Sequence, residues 1–243
     1  MKTVKFSLTI VCAVTLCLVS CKDDDRSSVY SWVSIATVEN PNGSRYFFFT
    51  LDNGVRMWTS ATDIPNYVPK DGQRILANYT ILSDRKDTTY QHDVRLNAVY
   101  SILTKDIFHV TAATQDSIGD DPAGIDDIWI GGNCLNVEFV FGGHYETHFI
   151  NLVSDSAKVY DDRKVHLEFR HNAHQDTEAY RQRHIASFRL KSLWKEGVDS
   201  LALVVHTHEY PSERRQYELV YHFSGQSSKK KAFEGDVTTG NVR

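Results

Sequence analysis

The sequence has 243 residues, 41% of them hydrophobic, with 5 Pro and 13 Gly, so it is long enough for one large or two ordinary domains. This composition is typical of a folded protein and excludes a disordered or collagen-like chain. The formal net charge of −4 lacks the basic excess that drives sequence-independent binding to phosphate backbones. We therefore predict no nucleic-acid partner.

The first twenty residues have the pattern of a secretory signal. Lys2 and Lys5 precede a nearly unbroken apolar run over residues 6–19, and small residues follow it. This run is shorter than the roughly 18 or more apolar residues that a membrane-spanning helix needs. We predict a lipoprotein signal peptide over residues 1–20 rather than a transmembrane anchor.

The segment Leu18-Val19-Ser20-Cys21 resembles the lipobox of bacterial lipoproteins, in which the cysteine thiol receives a diacylglyceryl group before cleavage on its amino side. The resemblance implies that Cys21 is lipidated and becomes the mature N-terminus, which would hold the protein at a membrane. The alternative is that Cys21 is an ordinary residue after a standard signal peptide.

Residues 22–28 are polar and mostly charged, so we predict a flexible tether over residues 21–29. This Lys/Asp-rich run also resembles the export signal of Bacteroidetes lipoproteins that reach the outer face of the outer membrane. The resemblance implies a lipid-anchored protein of the outer membrane, exposed at the cell surface.

Apolar alternation with β-branched and aromatic enrichment recurs through the mature chain and predicts an all-β protein. Five strands are predicted over residues 32–38, 45–51, 55–59, 73–82 and 90–100. Asn53-Gly54 tolerates the positive φ angles of a tight hairpin, so the second and third strands should pair. These short strands suit a small OB-like barrel, which we place at residues 30–111.

A second domain follows an acidic, turn-rich stretch that predicts a linker over residues 112–124. Six strands are predicted over residues 135–141, 147–153, 165–170, 184–190, 201–208 and 216–223. They indicate a β-sandwich domain over residues 125–223. The tail over residues 224–243 has few apolar residues and is predicted to be disordered.

Several segments, in their order and spacing, together resemble the NigD-like lipoproteins of Bacteroidetes. They are the lipobox, Leu51–Gly54, Asp71–Arg74, Asn78–Leu82, Ile102–Lys105, Phe149–Val153 and Val165–Asn172. The resemblance covers nearly the whole mature chain and implies an OB-like barrel followed by an immunoglobulin-like β-sandwich. It implies no catalytic residues. The family's name comes from a bacteriocin locus, which leaves immunity or self-protection as an alternative function.

The aromatic run Tyr46-Phe47-Phe48-Phe49, together with Trp58, is the main candidate binding site. OB-like barrels often bind oligosaccharides or oligonucleotides by stacking on a strand face. Alternation sends Phe47 and Phe49 to one side and Tyr46 and Phe48 to the other, so one pair must fill the barrel. We single out Tyr46, Phe48 and Trp58 as contacts for a glycan or protein partner, with packing beneath a loop as the alternative.

Histidine is unusually frequent, with 11 in the chain, most of them after residue 140. His206-Thr207-His208 places two rings on one face of a predicted strand, where a third ligand would complete a zinc site. Alternating histidines also arise on the solvated face of any strand, and no His-Glu-x-x-His segment accompanies these. We predict no metal and no cofactor, keep His206 and His208 as the candidate ligands, and keep a metal-dependent activity as an alternative.

No segment typical of a catalytic site stands out. Cys134, the one thiol of the predicted folded part, is expected to pack at the start of a strand. Asp120–Asp121 and Asp126–Asp127 lack the spacing of an EF-hand and indicate an acidic linker. Gly-x-Ser-x-Gly, P-loop and dinucleotide-binding segments are absent from the sequence. We therefore predict a binding module rather than an enzyme.

Overall fold

The computed structural model describes residues 30–86, 89–111 and 113–223. The predicted signal peptide, Cys21, the tether and the tail over residues 224–243 lie outside the described residues. Within the described residues, no helix is long and apolar enough to cross a membrane. Strands dominate from Ser31 to His222, which confirms the predicted all-β class.

Five strands close into a barrel at the start of the described chain. They are β1 (Ser31–Glu39), β2 (Phe48–Leu51), β3 (Arg56–Thr62), β4 (Arg74–Asp84) and β5 (His92–Ser101). Their order is β1-β2-β3-β5-β4, and β4 pairs back onto β1. The β3–β5 pair is parallel, whereas the other pairs are antiparallel. Closure removes the open edges of the sheet, and the predicted OB-like barrel is confirmed.

Strand alternation decides which aromatic rings fill the barrel. Phe47 and Phe49 point inward and are almost fully buried, whereas Phe48 lies on the outer face and stays partly exposed. The chain then reverses at Gly54, whose φ of 85° is accessible because glycine has no Cβ. The hairpin predicted from this turn is present, and it sets Phe48 directly opposite Trp58.

Nine further strands form a β-sandwich of two sheets, as predicted in outline. They are β6 (Leu103–Asp106), β7 (Phe108–Val110), β8 (Gly124–Gly131), β9 (Cys134–Gly143), β10 (Phe149–Asp155), β11 (Val165–Asn172), β12 (Tyr180–Arg189), β13 (Ser200–Glu209) and β14 (Glu213–His222). One sheet has the order β14-β13-β11-β10-β7 and the other β6-β12-β9-β8. Phe139, Phe169 and Phe188 pack edge to face in the core between them.

The chain passes from barrel to sandwich earlier than the sequence predicts. β6 pairs in parallel with β12, and β7 pairs in parallel with β10, so residues 103–110 lie in the sandwich sheets rather than in the barrel domain. The predicted linker over residues 112–124 instead contains the short helix α1 (Gln115–Ile118) and the first residue of β8, a strand that was not predicted. Parallel pairs join segments that are distant in the chain, and no hairpin turn marks them in the sequence.

A buried polar network joins the barrel to the sandwich. Arg74 of β4 donates to Asp52, with Nη1–Oδ1 and Nη2–Oδ2 distances of 2.6 and 3.0 Å. The same guanidinium donates to Asn136 Oδ1 of β9 at 2.9 Å, and Ser187 of β12 donates to that oxygen at 2.6 Å. Arg74 is only 1% exposed, so these partners must replace the water that would otherwise stabilise its charge. An adjacent apolar cluster also spans both domains and contains Ile35, Leu76, Ile102, Trp129 and Ile185.

Candidate functional site

Three aromatic side chains gather on the outer face of the barrel. The centroid of the Phe48 ring lies 4.5 Å from that of Trp58 and 5.4 Å from that of Tyr90. All three side chains remain partly exposed. We refer to Phe48, Trp58 and Tyr90 as the barrel aromatic cluster.

Two arginines flank this cluster. The Arg56 guanidinium lies 4.0 Å from the centroid of the Phe48 ring, and the Arg85 guanidinium lies 5.3 Å from that of Tyr90. Glu39 holds Arg56 in place, with Arg56 Nη2 2.7 Å and Arg56 Nε 2.9 Å from Glu39 Oε2. The cluster therefore combines aromatic surface with charged groups at its edge, which suits a ligand that has both apolar faces and polar substituents.

The structure brings together two of the three predicted contact residues. Phe48 and Trp58 touch, as expected for opposite residues of a hairpin. Tyr46 is 39% exposed and its ring lies 5.6 Å from the Arg45 guanidinium, but among the described residues no ring contact joins it to the cluster. Tyr46 therefore stands beside the candidate site rather than within it.

Sequence reasoning missed Tyr90. Its ring reaches the cluster because β3 and β5 pair in parallel, which sets Trp58 opposite Asp93. The Tyr90 hydroxyl donates to Asp93 Oδ1 at 3.1 Å and fixes the ring there. The one available signal was an aromatic residue at the start of a predicted strand, and that signal says nothing about the partner strand.

The two predicted metal candidates have other partners. His206 Nε2 lies 2.8 Å from His166 Nδ1. His208 Nδ1 lies 2.6 Å from the Asp120 carbonyl oxygen, and its Nε2 lies 3.1 Å from Ser212 Oγ. Across residues 30–86, 89–111 and 113–223, no group of three or more His, Cys, Asp or Glu side chains is arranged to hold a metal ion. The two rings act as hydrogen-bonding side chains in this structure.

A carboxylate and two buried imidazoles form a hydrogen-bonded chain inside the sandwich domain, which we refer to as the inner histidine chain. Asp176 Oδ2 lies 3.2 Å from His148 Nε2, and His148 Nδ1 lies 2.7 Å from His171 Nε2. His171 Nδ1 then lies 3.2 Å from the Pro122 carbonyl oxygen. The rings are at most 2% exposed, and Phe141 stacks on His148 at 4.2 Å.

The acceptors at the two ends of this chain determine which ring nitrogens carry protons. The Pro122 carbonyl can only accept, so His171 Nδ1 carries a proton, and the Asp176 carboxylate requires a proton on His148 Nε2. A third proton between the rings completes the hydrogen bonds. These hydrogen bonds join the Asp176 carboxylate, both rings and the Pro122 carbonyl in one continuous chain.

The pKa shifts agree with this assignment. Burial, together with the charge of neighbouring His148, lowers the pKa of His171 from 6.5 to about 4. The backbone N–H of His144 donates to Asp176 and holds the pKa of that carboxyl well below its usual range. His171 therefore becomes protonated on both ring nitrogens only near pH 4, while the Asp176 carboxylate stays ionised.

A second chain of the same type lies at the surface of the sandwich. Asp162 Oδ1 is 2.9 Å from His166 Nε2, and His166 Nδ1 is 2.8 Å from His206 Nε2. Tyr160 stacks on the His166 ring with centroids 3.6 Å apart. One proton on each ring completes these two hydrogen bonds, so both rings can be neutral. Burial lowers the pKa of His206, which favours this neutral state.

A cleft of about 620 Å³ adjoins the inner histidine chain. Its walls include residues 121–122 and 171–176, together with Gly119, Glu178 and Tyr210. Asp121 accepts the backbone N–H of Ala173 from the facing wall at 2.7 Å. The carboxylates of Asp121 and Asp176 thus bind backbone amides and shape the cleft walls.

The remaining sequence candidates have structural partners. Cys134 is buried at the start of β9, and burial raises the pKa of its thiol, which suits the predicted packing role. Asp120 pairs with Arg170 at 3.1 Å, and Asp126 pairs with Arg183 at 3.1 Å. These carboxylates serve as partners of neighbouring arginines.

Comparison with known proteins places both domains in one family. The model of the NigD-like N-terminal OB domain matches residues 35–102, and the model of the NigD-like C-terminal beta sandwich domain matches residues 106–221. Among solved structures, a protein of Parabacteroides distasonis described as toxin-related is 36% identical, with a TM-score of 0.69. That match covers 79% of this chain and 94% of the other.

Two further structures share the fold at lower identity. A protein of Bacteroides caccae described as a NigD-like immunity protein is 17% identical, has a TM-score of 0.61 and matches over 80% of this chain and 98% of its own. A protein of Bacteroides fragilis described as a lipoprotein is 13% identical, has a TM-score of 0.54 and matches over 78% and 97%. No curated protein matches the chain.

Proposed function

The chain belongs to the NigD-like family, and from this premise we propose that it is a lipid-anchored, non-catalytic binding protein of the cell envelope. The proposed contact surface is the barrel aromatic cluster. The proposed ligand is a glycan or a protein partner outside the cell.

Cys21 supplies the proposed anchor. Its position at the end of a lipobox supports acylation, and the Bacteroides fragilis protein of the same fold is described as a lipoprotein. The charged run over residues 22–28 supports a location on the outer face of the outer membrane. Acyl chains on one sulfur would keep the two domains at that surface.

The barrel aromatic cluster is the observation that carries the binding role. Three partly exposed rings on one face offer apolar surface that a sugar ring or a partner side chain can cover. Arg56 and Glu39 stand at its edge with groups that can donate and accept hydrogen bonds. Aromatic residues and arginine are also enriched at the centres of protein interfaces.

Charge argues against an oligonucleotide ligand. Loss of Lys2 and Lys5 with the signal peptide would leave 25 of the 27 basic residues against 31 acidic ones. Of the two arginines at the cluster, Arg56 is paired with Glu39, and Arg85 lies 3.7 Å from Asp93. A groove that follows a phosphate backbone needs a larger basic excess.

Binding assays with matched variants test the proposal. The soluble form that starts at Arg26 is applied to a glycan array and to envelope proteins of the producing strain. Trp58→Ala should weaken the binding found by about tenfold or more, because Trp58 is a ring of the cluster. Tyr100→Ala removes a barrel aromatic that is 49% exposed and lies outside the cluster, so it should leave binding unchanged. Equal binding by wild type and Trp58→Ala would refute the role of the cluster.

Immunity or self-protection is the second candidate function. The structures described as a NigD-like immunity protein and as toxin-related favour it. Deletion of the gene should then sensitise the cell to a toxin encoded nearby, and restoring the gene should remove that sensitivity. Identical killing curves for the deletion and the parent strain would end this candidate.

A further inference from the structure

A second exposed patch lies where β1 begins. Tyr30 is 78% exposed and Trp32 is 54% exposed. Trp32 lies opposite Tyr79 in the β1–β4 ladder, and Tyr30 lies two residues before Trp32, so alternation along extended backbone places both rings on the same side. We refer to Tyr30 and Trp32 as the β1 patch.

The two aromatic residues are exposed because they extend past the enclosed part of the barrel. Trp32 continues the alternating row of Ala36 and Ser34, and the Ser34 hydroxyl lies 3.3 Å from the Tyr79 hydroxyl. Ala36 is fully buried, so exposure increases along this row toward the start of the strand. The row ends in an indole and a phenol, the side chains that concentrate at the boundary between lipid and water.

We propose that the β1 patch contacts the headgroup region of the bilayer in which the protein is anchored. This inference rests on the proposed acylation of Cys21. Eight residues separate Cys21 from Tyr30, and a fully extended chain between the two spans at most about 30 Å. The start of β1 is therefore the described part of the chain that lies nearest the anchor in sequence.

A basic residue after β4, the strand that pairs with the start of β1, favours a lipid surface as the occupant. Lys86 follows β4 and is exposed. A basic side chain near an interfacial aromatic patch is attracted to anionic headgroups. Contact by Tyr30 and Trp32 would orient the barrel with the start of β1 toward the membrane, instead of leaving the protein free to rotate about its tether.

Fluorescence quenching by brominated lipid tests this contact. The full acylated protein is purified from membranes and reconstituted into phosphatidylethanolamine and phosphatidylglycerol vesicles with brominated acyl chains. Trp32→Phe should remove most of the bromine-dependent quenching. Trp194→Phe is the matched control, because Trp194 is 59% exposed but lies in the sandwich domain, and it should leave the quenching unchanged.

The outcomes separate this inference from the proposed function. Protein that does not float with the vesicles refutes the anchor and the patch together. Protein that floats but is quenched equally with and without Trp32, or loses its quenching in Trp58→Phe or Trp194→Phe, refutes the patch alone. In the absence of lipid, tryptophan emission that shifts with protein concentration in the wild type but not in Trp32→Phe would assign the patch to a second copy of the chain. This result would also overturn the inference.

Discussion

Replacing Asp52 with asparagine removes the negative charge that faces the buried Arg74 guanidinium. Arg74 is 1% exposed and donates two of its hydrogen bonds to the carboxylate, at 2.6 and 3.0 Å. Breaking one side of a buried ion pair leaves an uncompensated charge and costs about 3–5 kcal/mol. We therefore expect Asp52→Asn to lower the free energy of unfolding of the soluble form by about that amount, measured by urea denaturation.

Asp106→Asn is the matched control for this change. Asp106 pairs with Arg189 at 3.4 Å, but the two side chains are 78% and 45% exposed. An exposed pair contributes about 1 kcal/mol or less, so this variant should stay close to wild type. The double variant Asp52→Asn with Arg74→Met should recover part of the loss, because it removes the stranded charge as well. Equal small effects of Asp52→Asn and Asp106→Asn would refute the claim that this network holds the domains together.

Three further predictions use the same denaturation assay. Because the pKa of His171 is about 4 when folded and 6.5 when unfolded, the contribution of this residue to stability is complete above pH 6.5 and should fall by about 3 kcal/mol as the pH drops to 4, and His171→Gln should reduce this dependence. Phe49→Ala should lower the free energy of unfolding by about 3–5 kcal/mol, because it leaves a cavity in the barrel core. Tyr46→Ala should lower it by less than about 0.5 kcal/mol, because Tyr46 is exposed. Gly132→Ala should lower the free energy of unfolding by about 2 kcal/mol or more, because the φ of Gly132 is 57° and an added Cβ would lie 2.6 Å from Nη1 of the buried Arg74. Gly43→Ala, with a similar φ of 61° and open space around it, should cost about 1 kcal/mol. Equal destabilisation by Phe49→Ala and Tyr46→Ala, or by Gly132→Ala and Gly43→Ala, would contradict the packing arguments. A pH profile that His171→Gln leaves unchanged would contradict the role of His171.

The sequence predicts the barrel well because its signals are local. Asn53-Gly54 marks the β2–β3 hairpin, and alternation along Phe47, Phe48 and Phe49 identifies one outward ring between two inward ones. The sandwich is less accessible, because three of its strand pairs are parallel and join distant segments. The predicted boundary is late for that reason, since β6 and β7 have no turn that shows which sheet they enter.

The candidate sites show the same limit. Trp58 and Phe48 could be predicted as neighbours from the hairpin, but Tyr90 enters the cluster through the parallel β3–β5 pair. The histidine chains depend on contacts across strands and loops, such as the one between His148 and His171. A single sequence shows that histidines are frequent, but it does not show which rings share a proton.

The central claim is that the barrel aromatic cluster meets a ligand outside the cell while the protein is anchored. The most direct measurement is photo-cross-linking in living cells, with a photoreactive amino acid at position 58 in one strain and at position 100 in another. We expect a discrete adduct from position 58 and none from position 100. Identical adducts from both positions, or none from position 58, would contradict it.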